Sequence, residues 1–324
     1  MIISRAPFRI SFFGGGTDFP VWYQNNNSLI ISTSIDKYCS IIGRKFPKFF
    51  EYANRISWSK IEEVSDIRDI EHPTIRAYLN YIEKSGFEFI HTGDLPARSG
   101  LGSSSAFSAA LINLTSDLNG SSLKHRQIAT QSINLERNIM KEAGGVQDQI
   151  SCSHGGFNKI RLGDHSDYKI DKIKIKDQAL HEFQSSLMLF FTGITRNSFE
   201  ISIQHEKNID KNYKDLVEIT DIAETALGIF ENNFNLKEIA QLLDLGWQKK
   251  RLLSSGVSSN ELDDIYDTAK SAGAIGGKLL GAGGGGFFIF VVPPNKQAQV
   301  RNSLNKLLEV DFNFENIGAK LIKV

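Results

Sequence analysis

The chain has 324 residues with 37 basic and 37 acidic side chains, so its formal net charge is zero and no global basic field recruits nucleic acid or an anionic membrane. Hydrophobic residues make up 41% and charged ones 23%, which argues against disorder and leaves room for one large or two ordinary domains. Two cysteines, Cys39 and Cys152, match no metal spacing, as expected of a reducing cytoplasm, and no apolar run approaches the roughly 20 residues that a bilayer demands.

The first residues are apolar but interrupted by Arg5, Pro7 and Arg9, which predicts neither a signal peptide nor a membrane span but a strand broken near Pro7. Gly14-Gly15-Gly16-Thr17-Asp18 follows, a turn in which backbone can approach a ligand closely and Asp18 can accept hydrogen bonds. Bracketed by Arg9 and Asp18, it reads as a sugar-hydroxyl site or, more blandly, as a hairpin loop. Further strands are predicted from Leu29 to Arg44 and from Phe46 to Tyr52. A helix over Pro73 to Lys84 carries Ile75, Leu79 and Ile82 on one stripe, and Phe87 to Thr92 is again a strand.

That strand delivers the chain to Pro96-Ala97-Arg98-Ser99-Gly100-Leu101-Gly102-Ser103-Ser104-Ser105-Ala106. Gly100 and Gly102 tolerate positive φ, so their N–H groups can face an anion at the start of the next helix. The alternative is a glycine turn before a serine-capped helix. The helix carries Phe107, Leu111, Leu114 and Leu118 at spacings of four, three and four. A second helix from Ser122 to about Glu142 holds Glu136, and Asp148 follows the break at Gly144-Gly145. Periodicity alone assigns neither carboxylate a role, since most helix glutamates are solvated and an aspartate after a glycine turn is usually a cap.

Beyond a boundary placed near Ala179, Ser186 to Phe191 reads as a buried strand with Arg196 in its loop. The chain is then mostly helical to about Ser255, and again from Asp263 to Ala272. Gly276 to Gly286 holds a glycine density that is seldom purely structural, and it leads into the buried strand Phe287 to Val292. A helix over Asn295 to Leu308 and a strand over Ala319 to Val324 complete the chain.

Three motifs in this order, Arg5-Ala6-Pro7-Phe8-Arg9-Ile10 through Asp18, Pro96 to Ala106, and Lys278 to Gly286, resemble the signatures of the galactokinase, homoserine kinase, mevalonate kinase and phosphomevalonate kinase superfamily, the GHMP kinases. The resemblance runs nearly end to end and implies an α+β, two-domain fold. Residues 1–178 would form an ATP-binding unit with a ribosomal-protein-S5-domain-2-like mixed sheet, and residues 179–324 a ferredoxin-like α/β sandwich. The first motif most resembles the sugar 1-kinases acting on D-glycero-D-manno-heptose 7-phosphate, with fucokinases as close relatives. It departs from galactokinases, which place Gly-Glu-His-Thr-Asp where this chain has Gly14 to Asp18.

The resemblance also implies roles. ATP phosphates would lie on Pro96, Arg98, Gly100, Leu101, Gly102, Ser103, Ser104 and Ser105, with Mg2+ between Ser104 and Glu136; the position of that serine is uncertain by one residue toward Ser103 or Ser105. Asp148 matches the proposed catalytic base and Arg9 an arginine near the transferred phosphoryl group. Gly15, Gly16, Thr17, Asp18, Gly283, Gly284 and Gly285 would meet the sugar. For the acceptor's own phosphate the candidates are Arg196, Arg98, Lys45 and Arg44, with Arg196 preferred. The expected partner is a small sugar phosphate rather than nucleic acid or membrane, with a homodimer left open, in a cytoplasmic enzyme supplying nucleotide-activated heptose. The rival readings are a fucokinase-like or other sugar kinase, a catalytically silent ATP and sugar sensor, and a kinase-related decarboxylase.

Overall fold

The computed structural model describes residues 1–163, 168–194, 198–254 and 256–323. Two sheets organise them. The first begins with β1 (Ile2–Phe13), β2 (Ser28–Lys45), β3 (Asn54–Ser57), β4 (Ile61–Val64), β5 (Phe87–Gly93), β6 (Phe157–Leu162) and β7 (Lys169–Lys172). Among these strands lie α1 (Pro20–Tyr23), α2 (Pro73–Ile82), α3 (Ser103–Leu118), α4 (His125–Ile133) and α5 (Gln147–His154). After α6 (Asp177–Ser185), the second sheet takes β8 (Leu187–Phe191), β9 (Gly276–Leu279), β10 (Phe287–Val291) and β11 (Leu308–Glu309). Helices α7 (Ser198–Lys207), α8 (Tyr213–Glu231), α9 (Leu236–Leu252) and α10 (Asn260–Ser271) separate β8 from β9, and α11 (Pro294–Ser303) follows β10.

The first sheet hangs on β2, whose 18 residues pair with β6 at Ser28–Thr33, with β5 at Cys39–Lys45, and with β1 along both parts. Pro7 lacks an N–H, but it does not break β1. The strand runs through it with a register shift between Pro7 and Arg9, so the irregularity falls beside the arginine. The second sheet is antiparallel in the order β11-β8-β10-β9, which in its own count is 4-1-3-2, the order of a ferredoxin-like unit. The expected α+β class and two-part architecture are therefore present.

Several local expectations change. Phe46 to Tyr52 is a bend rather than a strand: Pro47 supplies no donor, and Phe46, Phe50 and Tyr52 stack on one another with ring centroids 4.9 to 5.6 Å apart. The strand comes later, at Asn54–Ser57. The long helix expected from Ser122 is α4 followed by a π-helical turn over Asn134–Ile139, and the wider turn carries Glu136 inward. Helix α3 is buried around nearly its whole circumference from Ser105 to Thr115, because the small residues Ala106, Ala109 and Ala110 admit close neighbours on the faces that its leucine stripe leaves free.

The tail also departs from the expected division. β12 (Phe314–Glu315) pairs with β2, and β13 (Lys320–Lys323) pairs with β1. The chain thus returns to the first sheet, and we propose residues 178 and 179 as marking only its first crossing. Where the two parts meet, Phe183 of α6 lies fully buried, 5.1 Å from both Phe12 and Phe230 and 6.3 Å from Phe314. Replacing it (Phe183→Ala) removes a ring that joins β1, α8 and β12. The expected loss is about 3–5 kcal/mol of unfolding free energy in urea titration, and a loss below about 1 kcal/mol would contradict this packing role.

Candidate active site

Arg9 lies near the middle of β1 with its side chain buried, and Asp148 enters from the first turn of α5, 139 residues away. The Arg9 Nε and one terminal nitrogen donate to the two oxygens of Asp148 at 2.7 and 2.6 Å. The other terminal nitrogen donates to the Gly100 carbonyl at 2.6 Å, and the Arg9 backbone N–H to the Leu101 carbonyl at 2.9 Å. Burial alone disfavours the guanidinium charge, but the adjacent Asp148 outweighs it and raises the Arg9 pKa. One side chain therefore ties the first strand, the central glycine loop and α5 together.

Each glycine loop has a steric reason to be glycine. Gly14 has φ +79°, and a Cβ there would lie 1.8 Å from the Leu29 carbonyl oxygen. A Cβ on Gly100 would lie 2.5 Å from the Leu280 carbonyl oxygen, and one on Gly286 2.3 Å from that of Ser99. The second and third motifs therefore touch backbone to backbone, a contact only glycine permits. Asp18 closes the first turn, with one oxygen accepting from the Gly16 N–H at 3.1 Å and the other from the Gln147 N–H at 3.3 Å. Burial first, and the charge of Asp148 second, push its pKa upward.

These pieces enclose a cavity of about 250 Å³. Glu136 lines it from the π-turn: one oxygen accepts from the Ser105 hydroxyl at 3.0 Å and from the Gln149 amide at 2.6 Å, while the other, buried, meets no hydrogen-bond donor at good geometry among the described residues, although the Ser108 hydroxyl lies near enough to favour the carboxylate's charged form. Burial pushes this carboxyl up to about 7. A carboxylate oxygen left unsatisfied beside a hydroxyl fits a hard cation. Mg2+ typically takes only one or two carboxylates and completes its shell with water and phosphate oxygens, so the lack of a larger acidic or histidine cluster among the described residues does not count against it. Of the three serines, Ser105 is the one against Glu136; Ser103 accepts from the Arg98 N–H, and Ser104 stands exposed on the cavity wall.

Most of the residues singled out from sequence line this one cavity: Arg9, Gly15, Gly16, Asp18, Arg98, Gly100, Gly102, the three serines, Glu136, Asp148, Gly283 and Gly285. Four do not. Pro96 is exposed outside it, and Leu101 is core beneath the loop. The Thr17 hydroxyl is used inside the turn, on the Gly14 carbonyl and Ser28, and Gly284 is tied by its N–H to the Val257 carbonyl. Arg196 lies outside the described residues. Arg44 pairs with Glu88, and Lys45 bonds Asn119 over the Phe87 ring, away from the cavity.

Sequence reading missed several wall residues that come from the second half of the chain. His205 of α7 hydrogen-bonds the Gly16 carbonyl at 2.9 Å. Lys250 at the end of α9 donates to the Gly281 carbonyl, and Lys278 of β9 donates to the Phe12 carbonyl at 2.9 Å. Lys278 stood at the head of the third motif and could have been found there. Lys250 could not, because its neighbour Lys249 on the same helix is an ordinary surface cation paired with Glu218.

Comparison with known proteins follows the same geometry. The family model described as GHMP kinases N terminal domain matches residues 71–156, and the one described as GHMP kinases C terminal matches residues 229–310, together more than half of the chain. The D-glycero-alpha-D-manno-heptose 7-phosphate kinase of Campylobacter jejuni is 29% identical, the alignment covering 98% of each protein. A bifunctional fucokinase/GDP-fucose pyrophosphorylase of Arabidopsis thaliana is 23% identical over 96% of this chain and 32% of its own length. The crystal structure of a D-glycero-D-manno-heptose 1-phosphate kinase from Bacteroides thetaiotaomicron superimposes with a TM-score of 0.80 at 22% identity, covering 100% of this chain and 99% of that one, and so shares the fold. With three glycine motifs meeting around one carboxylate-lined cavity and both family models matched in order, the chain belongs to the GHMP kinases, ATP-using phosphotransferases.

Proposed function

We propose that this chain is a sugar kinase that transfers the γ-phosphoryl group of ATP to the anomeric hydroxyl of D-glycero-D-manno-heptose 7-phosphate, giving the 1,7-bisphosphate. The observation that carries the catalytic part is the Arg9–Asp148 pair on the cavity wall between the first two glycine loops. The choice of acceptor is supported by the relative in Campylobacter jejuni, aligned over 98% of both proteins, and by the first motif.

Phosphoryl transfer asks for in-line positioning and neutralised charge more than for covalent work by the protein. Gly100, Gly102 and the start of α3 offer backbone N–H groups and a positive helix end to the ATP phosphates. Glu136 and Ser105 would hold Mg2+, which when bound neutralises charge on the phosphate oxygens. Asp148, already oriented by Arg9, accepts the hydrogen of the sugar hydroxyl and takes its proton as the new oxygen–phosphorus bond forms and the bond to ADP breaks. Arg9 offsets negative charge as it spreads over the transferring group. Asp18 has remaining acceptor capacity for sugar hydroxyls beside Gly16.

Asp148→Asn should lower kcat by about 10²- to 10⁴-fold while nucleotide binding, followed by calorimetry, stays close to wild type. Retained turnover would remove Asp148 from the chemistry. Glu136→Gln should raise the Mg2+ concentration needed for half-maximal activity by about tenfold or more, as expected when one charged ligand is lost. An unchanged requirement would place the metal elsewhere. ATP consumption measured across heptose 7-phosphate, fucose, galactose and mevalonate should be fastest with the heptose. Preference for fucose would move the reading to a fucokinase, and turnover with mevalonate alone would overturn it.

A further inference from the structure

Two lysine amines on the cavity wall are left over once the loops, the carboxylates and Arg9 have been given their parts. Lys278 is buried, with only 6% of its surface exposed, and Lys250 is half-buried with its amine turned inward. Each uses one N–H on a backbone carbonyl, Lys250 on Gly281 and Lys278 on Phe12. An ammonium has three N–H groups, so two on each remain. Among the described residues neither amine meets a carboxylate at ion-pair distance, whereas Lys249, one residue from Lys250, pairs with both Asp215 and Glu218.

Among the described residues, none of the groups around them pairs directly with these amines. From β1 comes Arg9, itself cationic and committed to Asp148; from the following turn comes Asp18, whose charge favours both ammoniums at longer range but whose two oxygens accept from the Gly16 and Gln147 N–H groups; from α7 comes His205, whose pKa burial lowers. Asp148 of α5 acts on Lys250 only at longer range, with both its oxygens held by Arg9. Taking an ammonium out of water is costly unless an anion meets it, and a purely structural tether to a carbonyl would not require a charged group.

We infer that Lys250 and Lys278 form a receptor for phosphoryl oxygens on the cavity wall, beside the point where the third glycine loop abuts Gly100. The anion is either the transferred phosphoryl group of ATP or the acceptor's own phosphate. The assignment of these two sources rests on the sugar-phosphate kinase reading; the receptor itself does not. Burial lowers the Lys250 pKa to about 8 and pushes that of Lys278 well below the ordinary lysine value, with Arg9 and Lys250 respectively adding to the effect. An arriving anion favours the charged amines, so its binding takes up protons near pH 8.

The test is calorimetric titration with tripolyphosphate, in two buffers of different ionisation enthalpy at pH 8, on wild type, Lys250→Met, Lys250→Arg, Lys278→Met and the surface control Lys249→Met. Either methionine variant should bind tripolyphosphate about 10- to 100-fold more weakly, the equivalent of one charge-assisted hydrogen bond, and take up fewer protons. Lys250→Arg should recover most of the affinity, and Lys249→Met should match wild type. Steady-state kinetics then separate the sources. A fall in kcat with an unchanged KM for heptose 7-phosphate assigns the lysines to the ATP phosphoryl group, and a rise confined to that KM assigns them to the acceptor's phosphate. Wild-type affinity, proton uptake and kinetics in both methionine variants would overturn the receptor. Should Lys278→Met fail to fold, the Lys250 pair decides. Because the titration needs no turnover, it also decides if no sugar is phosphorylated, an outcome that would sink the functional reading alone.

Discussion

Everything near the cavity depends on the two-pronged contact between Arg9 and Asp148. With Arg9 buried and Asp148 half-buried, the pair is weak evidence for stability, because desolvation offsets much of the attraction. What it fixes is geometry. Arg9 joins its strand, the start of α5 and the central loop at once, so removing Asp148 leaves the Arg9 charge uncompensated, while removing Arg9 frees the Gly100 loop from its tether. The buried carboxyls of Asp18 and Glu136 sit within the same frame, each held by N–H or O–H donors from a different segment.

The two halves of the chain bring complementary chemistry to that frame. The first sheet and its helices supply Asp18, Glu136, Asp148 and the Gly100 loop, while the second half supplies Lys250, Lys278 and the glycine strip that presses on Gly100. The backbone contact between the second and third motifs explains why both are rich in glycine despite the entropy each glycine loses on folding. Phe183 and its ring of phenylalanines, together with the return of β12 and β13 to the first sheet, hold the halves in register.

Much of this was legible in sequence because glycine loops and alternating apolar strands are local signals. Arg9 and the motif around Gly100 stand out by their neighbours, whereas Glu136 and Asp148 take a proposed role only from the resemblance to a kinase family. Three things were not legible. The π-turn at Asn134–Ile139 is set by tertiary packing, and it brings Glu136 against Ser105 rather than Ser104. Thr17 carries a polar group suited to a ligand, but its hydroxyl is used within its own turn. Lys250 has no motif at all, and only the fold separates it from the surface lysine beside it.

The identity of the transferred group's destination is the claim on which the functional reading stands. Phosphorus and carbon NMR of the product formed from ATP and D-glycero-D-manno-heptose 7-phosphate measures it directly. A new phosphate coupled to the anomeric carbon, with the 7-phosphate retained, is the result expected of Asp148 acting on the anomeric hydroxyl. Phosphate on any other carbon, or ADP and free phosphate with unchanged heptose 7-phosphate, would contradict it.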